Sequence, residues 1–260
     1  VNLRGALHVA DIAATTTSGR MLHVSTTYVA GCRDGDVPET LAAVTPNGTP
    51  LDLDEELARL DAACDSGKFV TRVAKVVDRA KELGWPNIYT FTKALGEHCL
   101  AARNDISLTI VRPAVVECAV DFPFTGWNEG VNTSGPLSWL IASPFREMPS
   151  HSHHKFDVIP VDLVAKGMVL ITAAVLRQEA ESVYQLGSSD DNPLTFVRAV
   201  ELNGLAMRRY WREGSSAERL LAQLDPVPVT VEDQSILTPK NLGRWVRSAH
   251  KLVQSFNAYE

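Results

Sequence analysis

The feature that most constrains this chain is an alternation of short apolar runs with segments of helical period. Residues 21–24, 107–111, 156–159 and 182–186 are apolar runs too short to make a helix of their own. Between and beside them, residues 2–13, 87–103 and 161–175 repeat their apolar positions every three to four residues. Short strands of this kind, alternating with helices, belong to a parallel sheet covered on both faces. The expected fold class is therefore α/β, with a doubly wound parallel sheet.

The remaining segments fill in the organisation. Residues 29–53 are rich in Gly, Pro, Asp and Thr and read as an excursion loop. Residues 54–83 carry helical periodicity that breaks around 65–67, and Pro113 stops the strand at 107–111. Residues 125–135 hold three glycines without a period and read as a loop. After residue 188 the character changes. Segments 194–204 and 216–224 look helical, and the proline-rich stretch 225–229 separates them from an amphipathic segment at 241–256. This divides the chain into a sheet-bearing part, 1–190, and a helical C-terminal cap over the substrate, 191–260. The chain opens on Val1 directly in a helical pattern and ends without a stop signal, which reads as a fragment of a longer frame.

Composition excludes several classes of function. With 45% hydrophobic residues in 260 the chain can bury a sizeable core. A formal net charge of -6 with both signs interspersed lacks the clustered Lys and Arg that nucleic acid requires. The four cysteines, Cys32, Cys64, Cys99 and Cys118, form no C-x-x-C pair. Cys99 and Cys118 sit in apolar sequence, which suits buried reduced thiols and a cytoplasmic setting. The longest apolar run, 158–176, is interrupted by Asp162 and Lys166 and falls short of a membrane span, leaving peripheral membrane contact open. His151, His153 and His154 lie in a polar loop without metal-ligand spacing, so no metal is expected. Trp127, Trp139 and Phe145 suit either an apolar acyl channel or ordinary core. Arg208, Arg209 and Arg212 read as a solvated helix face before a phosphate site.

The chemistry concentrates at Tyr89-x-x-x-Lys93, near the start of the 87–103 helix. Residues four apart share a helical face, so the phenol and the ammonium can address one site. A free phenol ionises near about pH 10, and a neighbouring cation favours its phenolate, which suits proton transfer to a carbonyl oxygen. Taken alone, the pair is equally an exposed polar couple on a helix. Its context is His23-Val-Ser-Thr-Thr-Tyr-Val-Ala-Gly31, where an apolar strand runs directly into hydroxyl residues. Hydroxyls at the carboxyl end of a parallel strand sit where such sheets bind ligands, and one of them can donate to a developing oxyanion.

These motifs, with Trp85-Pro-Asn-Ile-Tyr-Thr-Phe-Thr-Lys93-Ala-Leu-Gly-Glu97 and Ile110-Val-Arg-Pro113, resemble the extended short-chain dehydrogenase/reductases. The chain is most similar to fatty acyl-CoA reductases of the bacterial type. Phe122-Pro-Phe-Thr-Gly-Trp-Asn-Glu-Gly130, Val158-Ile-Pro-Val-Asp162 and Tyr184-Gln-Leu-Gly-Ser-Ser189 come in the family's order, so the resemblance covers about residues 1–215. It implies a partial Rossmann-like sheet and the reduction of a fatty acyl-CoA thioester to aldehyde or alcohol. NADPH is the implied cofactor, with NADH as the alternative.

Residue by residue, the resemblance implies Thr26 as the catalytic hydroxyl, with Ser25 as the alternative hydroxyl beside the cofactor. Tyr89 would be the proton donor, and Lys93 would act on Tyr89 and on the nicotinamide ribose. Asn2 matches a helix asparagine that supports a proton relay. Pro113, Ala114 and Val115 match the strand end that borders the nicotinamide.

These 260 residues contain no G-x-x-G-x-x-G loop. Such a loop lets backbone N–H groups approach a pyrophosphate. Its absence puts tight dinucleotide binding by this polypeptide in doubt and implies an unpaired sheet edge. Rival readings are a thioester reductase acting on carrier-protein-bound acyl groups, a sugar-nucleotide epimerase or dehydratase, and a non-catalytic truncated binding module. Oligomeric state is not legible in the sequence.

Overall fold

A computed structural model describes residues 2–65, 67–130, 135–143, 147–151, 154–215, 219 and 226–230. In chain order the elements begin with α1 (Arg4–Ala14), β1 (Arg20–Val24), a 3-10 turn (Thr27–Ala30), α2 (Leu53–Asp65) and α3 (Phe69–Glu82). Next come α4 (Ile88–Ala101), β2 (Ser107–Pro113), β3 (Val115–Glu117), α5 (Gly135–Ala142) and β4 (Glu147–Pro149). The last are β5 (Val158–Pro160), α6 (Val161–Arg177), β6 (Val183–Leu186), α7 (Phe196–Trp211) and β7 (Val227–Val229). The chain divides into two compact units. The first takes Val1–Gly126 and Ile159–Gly187, and the second takes Trp127–Val158 and Ser188–Glu260. Residues 127–158, grouped with 1–190 on sequence grounds, thus pack with residues beyond 187.

In the first unit β1, β2 and β6 form a parallel sheet in the order β1-β2-β6, the α/β arrangement expected from the alternation. Side chains alternate across a strand, so the register assigns each face its cover. Met21 pairs with Leu108 and His23 with Ile110. Met21 packs with Ala10, Ala13 and Leu100, which puts α1 and α4 on that face. Pro113 pairs with Leu186 on the opposite face, where Gly167 of α6 packs closely on Leu186. Helices therefore cover both sides.

The local chemistry explains the boundaries. Asn87 caps α4, its side chain accepting from Thr90 N at 2.9 Å, so the helix starts beside Tyr89. The expected break at 65–67 is the turn between α2 and α3, where Gly67 takes a φ of 68°. Gly84, with a φ of 97°, ends the α3 excursion under the 31–50 loop. A Cβ there would lie 2.8 Å from Pro46 Cβ and 2.9 Å from Asn47 N, so only glycine fits. Trp85 fixes the same loop by donating from Nε1 to Val29 O at 2.8 Å. Trp85 also packs with Phe91, Leu95 and Leu83 in the core beneath α2 and α3.

Several sequence expectations need correction. Pro113 does not stop the strand short of itself; it is the last residue of β2, where its missing N–H costs nothing because Ala114 N makes the next bond, to Leu186 O at 2.8 Å. The apolar run 156–159 is not a strand of the main sheet: β5 begins at Val158 and pairs with β3, a strand that the apolar patterning did not mark. Cys118 is exposed, because it follows β3 into the surface turn, whereas Cys99 is buried in α4 and its thiol is pushed up by burial.

The second unit carries α5, β4, α7 and β7. β4 and β7 pair in parallel, and Ile141, Met148 and Val200 form its small core. α7 extends to Trp211, past the expected end at 204, because Gly204 is buried and the amphipathic pattern continues. Segments 216–224 and 241–256, Phe145 and His153 lie outside the described residues, apart from the single position 219.

Candidate active site

Parallel sheets bind ligands at the carboxyl ends of their strands, and in the first unit Ser25 and Thr26 follow β1 at that end. The ladder continues one residue past β1, with Ser25 N donating to Val111 O at 2.7 Å. The chain then turns. Thr26 caps the 3-10 turn, its Oγ1 accepting from Tyr28 N at 3.3 Å, which leaves the hydroxyl proton available to donate. Ser25 and Thr26 are both buried, and Ser25 Oγ has no hydrogen-bond partner among the described residues. A buried hydroxyl without a partner carries a desolvation cost that a polar ligand would relieve.

α4 supplies the facing groups. Lys93 Nζ donates to Val24 O at 2.8 Å, which pins the ammonium to the end of β1, one residue before Ser25. Burial pushes the Lys93 ammonium down from its ordinary range, and the Glu97 carboxylate opposes that. Tyr89 lies one helical turn ahead and is 49% exposed. Among the described residues no hydrogen bond joins its hydroxyl to Thr26 or Lys93. Asn2 Nδ2 donates to Thr92 Oγ1 at 3.2 Å, so it ties the start of α1 to the turn of α4 that comes after Tyr89. Pro113, Ala114 and Val115 lie at the carboxyl end of β2, the strand that neighbours β1. The structure thus brings Lys93 to Val24 O, the residue before Ser25 and Thr26 in the chain, leaves Tyr89 half exposed on the same helix, and places Asn2 against Thr92.

Beneath this surface lies a buried ion pair that sequence motifs alone gave no role. Arg112 of β2 grips Glu97 of α4 with both prongs, Nε to Oε1 at 3.0 Å and Nη2 to Oε2 at 2.6 Å. Arg112 Nη1 also donates to Thr40 O at 3.1 Å, which ties the excursion loop to the same node. A signal was available: an arginine inside an apolar strand needs a buried partner, because an isolated buried charge is not tolerated. Asp162 was likewise missed as an organiser. Its carboxylate accepts from the backbone N–H groups of Val120, Asp121 and Phe122, at 3.2, 3.0 and 3.3 Å. Burial opposes its ionisation, but these donors outweigh it and hold the carboxyl below its usual range.

His23 lies under the site with Nε2 buried and without a partner among the described residues. Burial pushes this imidazole down, the Lys93 charge adds to the effect, and Glu97 opposes it. His98 is also lowered, again by burial first. A histidine that binds its proton less readily when folded destabilises the fold as it is forced to charge. The two histidines therefore cost the folded state nothing above the unfolded imidazole value of 6.5, and below it stability is lost as pH falls toward their lowered folded values. Thermal melts between about pH 7.5 and 5 are expected to show a falling midpoint, attenuated in His23→Gln. A midpoint independent of pH across this window in the parent chain would contradict the burial argument.

Among the described residues, no group of three or more His, Cys, Asp or Glu gathers to hold a metal; His151 and His154 meet through a backbone hydrogen bond, His154 N donating to His151 O at 3.1 Å, and with ring centroids 4.9 Å apart. No described helix is long and apolar enough to cross a membrane. Arg209 and Arg212 are exposed and Trp139 is 68% exposed on α5.

A family model described as male sterility protein, of the NAD-binding type, matches residues 1–168, more than half of the chain. This chain belongs to the male sterility protein family. Within it, the chain is 32% identical over 218 residues to fatty acyl-CoA reductase 1 of Arabidopsis thaliana, covering 75% of this chain and 43% of that protein. It is 32% identical over 227 residues to the alcohol-forming fatty acyl-CoA reductase of Simmondsia chinensis, covering 78% and 44%. The chain spans less than half the length of these curated relatives. The motif resemblance to fatty acyl-CoA reductases is borne out by this membership. Among solved structures, an epimerase of Methanothermobacter thermautotrophicus superposes with a TM-score of 0.47 at 15% identity, covering 98% of this chain and 67% of that one.

Proposed function

We propose that this family member carries the catalytic residues of a fatty acyl-CoA reductase that uses NADPH. The observation that supports the reading is the Lys93 ammonium held on Val24 O, at the strand end that leads into Ser25 and Thr26, with Tyr89 one turn before it on α4. When bound, the nicotinamide supplies hydride to the thioester carbon, so that loss of CoA leaves an aldehyde and a second hydride gives an alcohol.

The residues of this chain do the rest. Thr26 donates its hydroxyl proton toward the substrate carbonyl oxygen, a preorganised donor worth about 3–4 kcal/mol in comparable sites. Tyr89 passes its proton to that oxygen as negative charge develops there. The Lys93 cation favours the phenolate that results. Ser25 Oγ, buried without a partner among the described residues, fits the polar edge of a nicotinamide group, with Pro113, Ala114 and Val115 as the neighbouring wall. Asn2, on Thr92, orders the turn of α4 behind the proton donor.

The 260 residues contain no glycine-rich phosphate loop, so we expect NADPH oxidation by them alone to be undetectable with fatty acyl-CoA present. Joining a glycine-rich strand–turn–helix ahead of residue 1 is expected to bring NADPH oxidation coupled to CoA release. Turnover by the 260 residues alone would overturn the first expectation. Continued absence of acyl-CoA-dependent oxidation in the joined protein, despite NADPH binding, would overturn the function.

A further inference from the structure

We propose that the cavity bounded by the start of α1, the α2–α3 hairpin and the start of α4 binds the alkyl chain of a long-chain acyl ligand, with Arg72 meeting the anionic end. The ligand's identity rests on the acyl reductase reading above, whereas the cavity and its chemistry stand without it. The cavity is about 760 Å³, within the range of small-molecule sites, about 300–1,000 Å³. One part of its wall is aliphatic, with Leu3, Leu60, Val73, Val76 and Ile88, and polar side chains that include Asp61 and Asp65 line the rest. Phe69 at the rim is 71% exposed, a large apolar surface left in water.

Arg72 lines the same cavity. Its Nη1 donates to Cys64 O at 2.8 Å, but its Nε is buried and without an acceptor, and no carboxylate pairs with it among the described residues. Arg4, in the same wall, is instead taken up by Asp61. A guanidinium with donors to spare, set beside these aliphatic side chains, is complementary to an amphiphilic anion. The position adds to this. Ile88 and Thr92 of the wall belong to α4, the helix that also carries the proposed proton donor Tyr89.

The anion could be a carboxylate or the phosphates of a CoA ester, and the test separates them. A fluorescent fatty acid bound to the 260-residue chain is displaced with octanoate, decanoate, dodecanoate, dodecanol, dodecanoyl-CoA and free CoA. Affinity of the acids is expected to rise about fourfold per methylene, while free CoA displaces poorly. Val73→Trp fills the cavity and should weaken dodecanoate by about tenfold or more. Arg72→Leu should bring dodecanoate, or dodecanoyl-CoA if phosphate is what Arg72 meets, to the affinity of dodecanol and leave dodecanol unchanged. Far-ultraviolet circular dichroism checks that each variant is folded, and Arg72→Leu tests the site without filling it. Affinity flat with chain length, or unaltered by both substitutions, would overturn the proposal. Because the readout is binding, it can fail while reductase activity stands, and the reverse.

Discussion

Tyr89→Phe is expected to lower kcat for acyl-CoA reduction by about 10²–10⁴-fold, the usual contribution of a positioned proton donor. The measurement uses the protein joined to a glycine-rich dinucleotide-binding unit, with NADPH oxidation and CoA release tracked together. Phenylalanine keeps the ring and removes only the hydroxyl, and Tyr89 is half exposed at the start of α4, so the fold should be little disturbed. KM for the acyl-CoA should change little, because the lost interaction belongs to the transition state. Lys93→Met should lose activity as well, with a further effect on structure because Lys93 Nζ is bonded to Val24 O. CoA release at an undiminished rate in Tyr89→Phe would remove the phenol from the mechanism.

Glu97→Ala is expected to cost about 3–5 kcal/mol of stability, because it leaves the Arg112 guanidinium buried without its carboxylate. That is a large part of a domain's total of about 5–15 kcal/mol, so the urea midpoint should fall sharply or the chain should fail to accumulate. The pair joins α4 to the central strand β2, and through Thr40 it also holds the excursion loop. Its loss therefore loosens the helix that carries Tyr89 and Lys93. The control is the double change Glu97→Leu with Arg112→Met, which removes both charges and keeps most of the volume. Exchanges of that kind are often close to neutral. If Glu97→Ala cost no more than about 1 kcal/mol, the pair would be behaving as a surface salt bridge, and its assigned role would fall.

Sequence patterning located the sheet-forming runs of the first unit and the helices beside them, because period 2 and period 3.6 are properties of neighbouring residues. It was less successful where a residue's setting depends on distant chain. Cys118 looked apolar in its local sequence yet lies exposed after β3. The run at 156–159 had the composition of a sheet strand, but only Val158–Pro160 pairs, with β3. Arg112 stood in plain view in the Ile110–Pro113 motif, and its partner Glu97 closed another motif, the one that opens at Trp85, yet nothing local joined them.

What the sequence determined by itself was the α/β class, the helical spacing that sets Tyr89 and Lys93 on one face, and the passage from apolar strand to hydroxyls at Ser25 and Thr26. The tertiary structure alone decided that β1 lies beside β2, that Lys93 reaches Val24 across 69 positions of chain, and that Arg112 meets Glu97. It also decided that residues 127–158 pack with those after 187. The reason is physical. Periodicity is read within a turn or a strand, whereas these contacts arise from the order of strands in the sheet and from which buried charges must find each other once the core has closed.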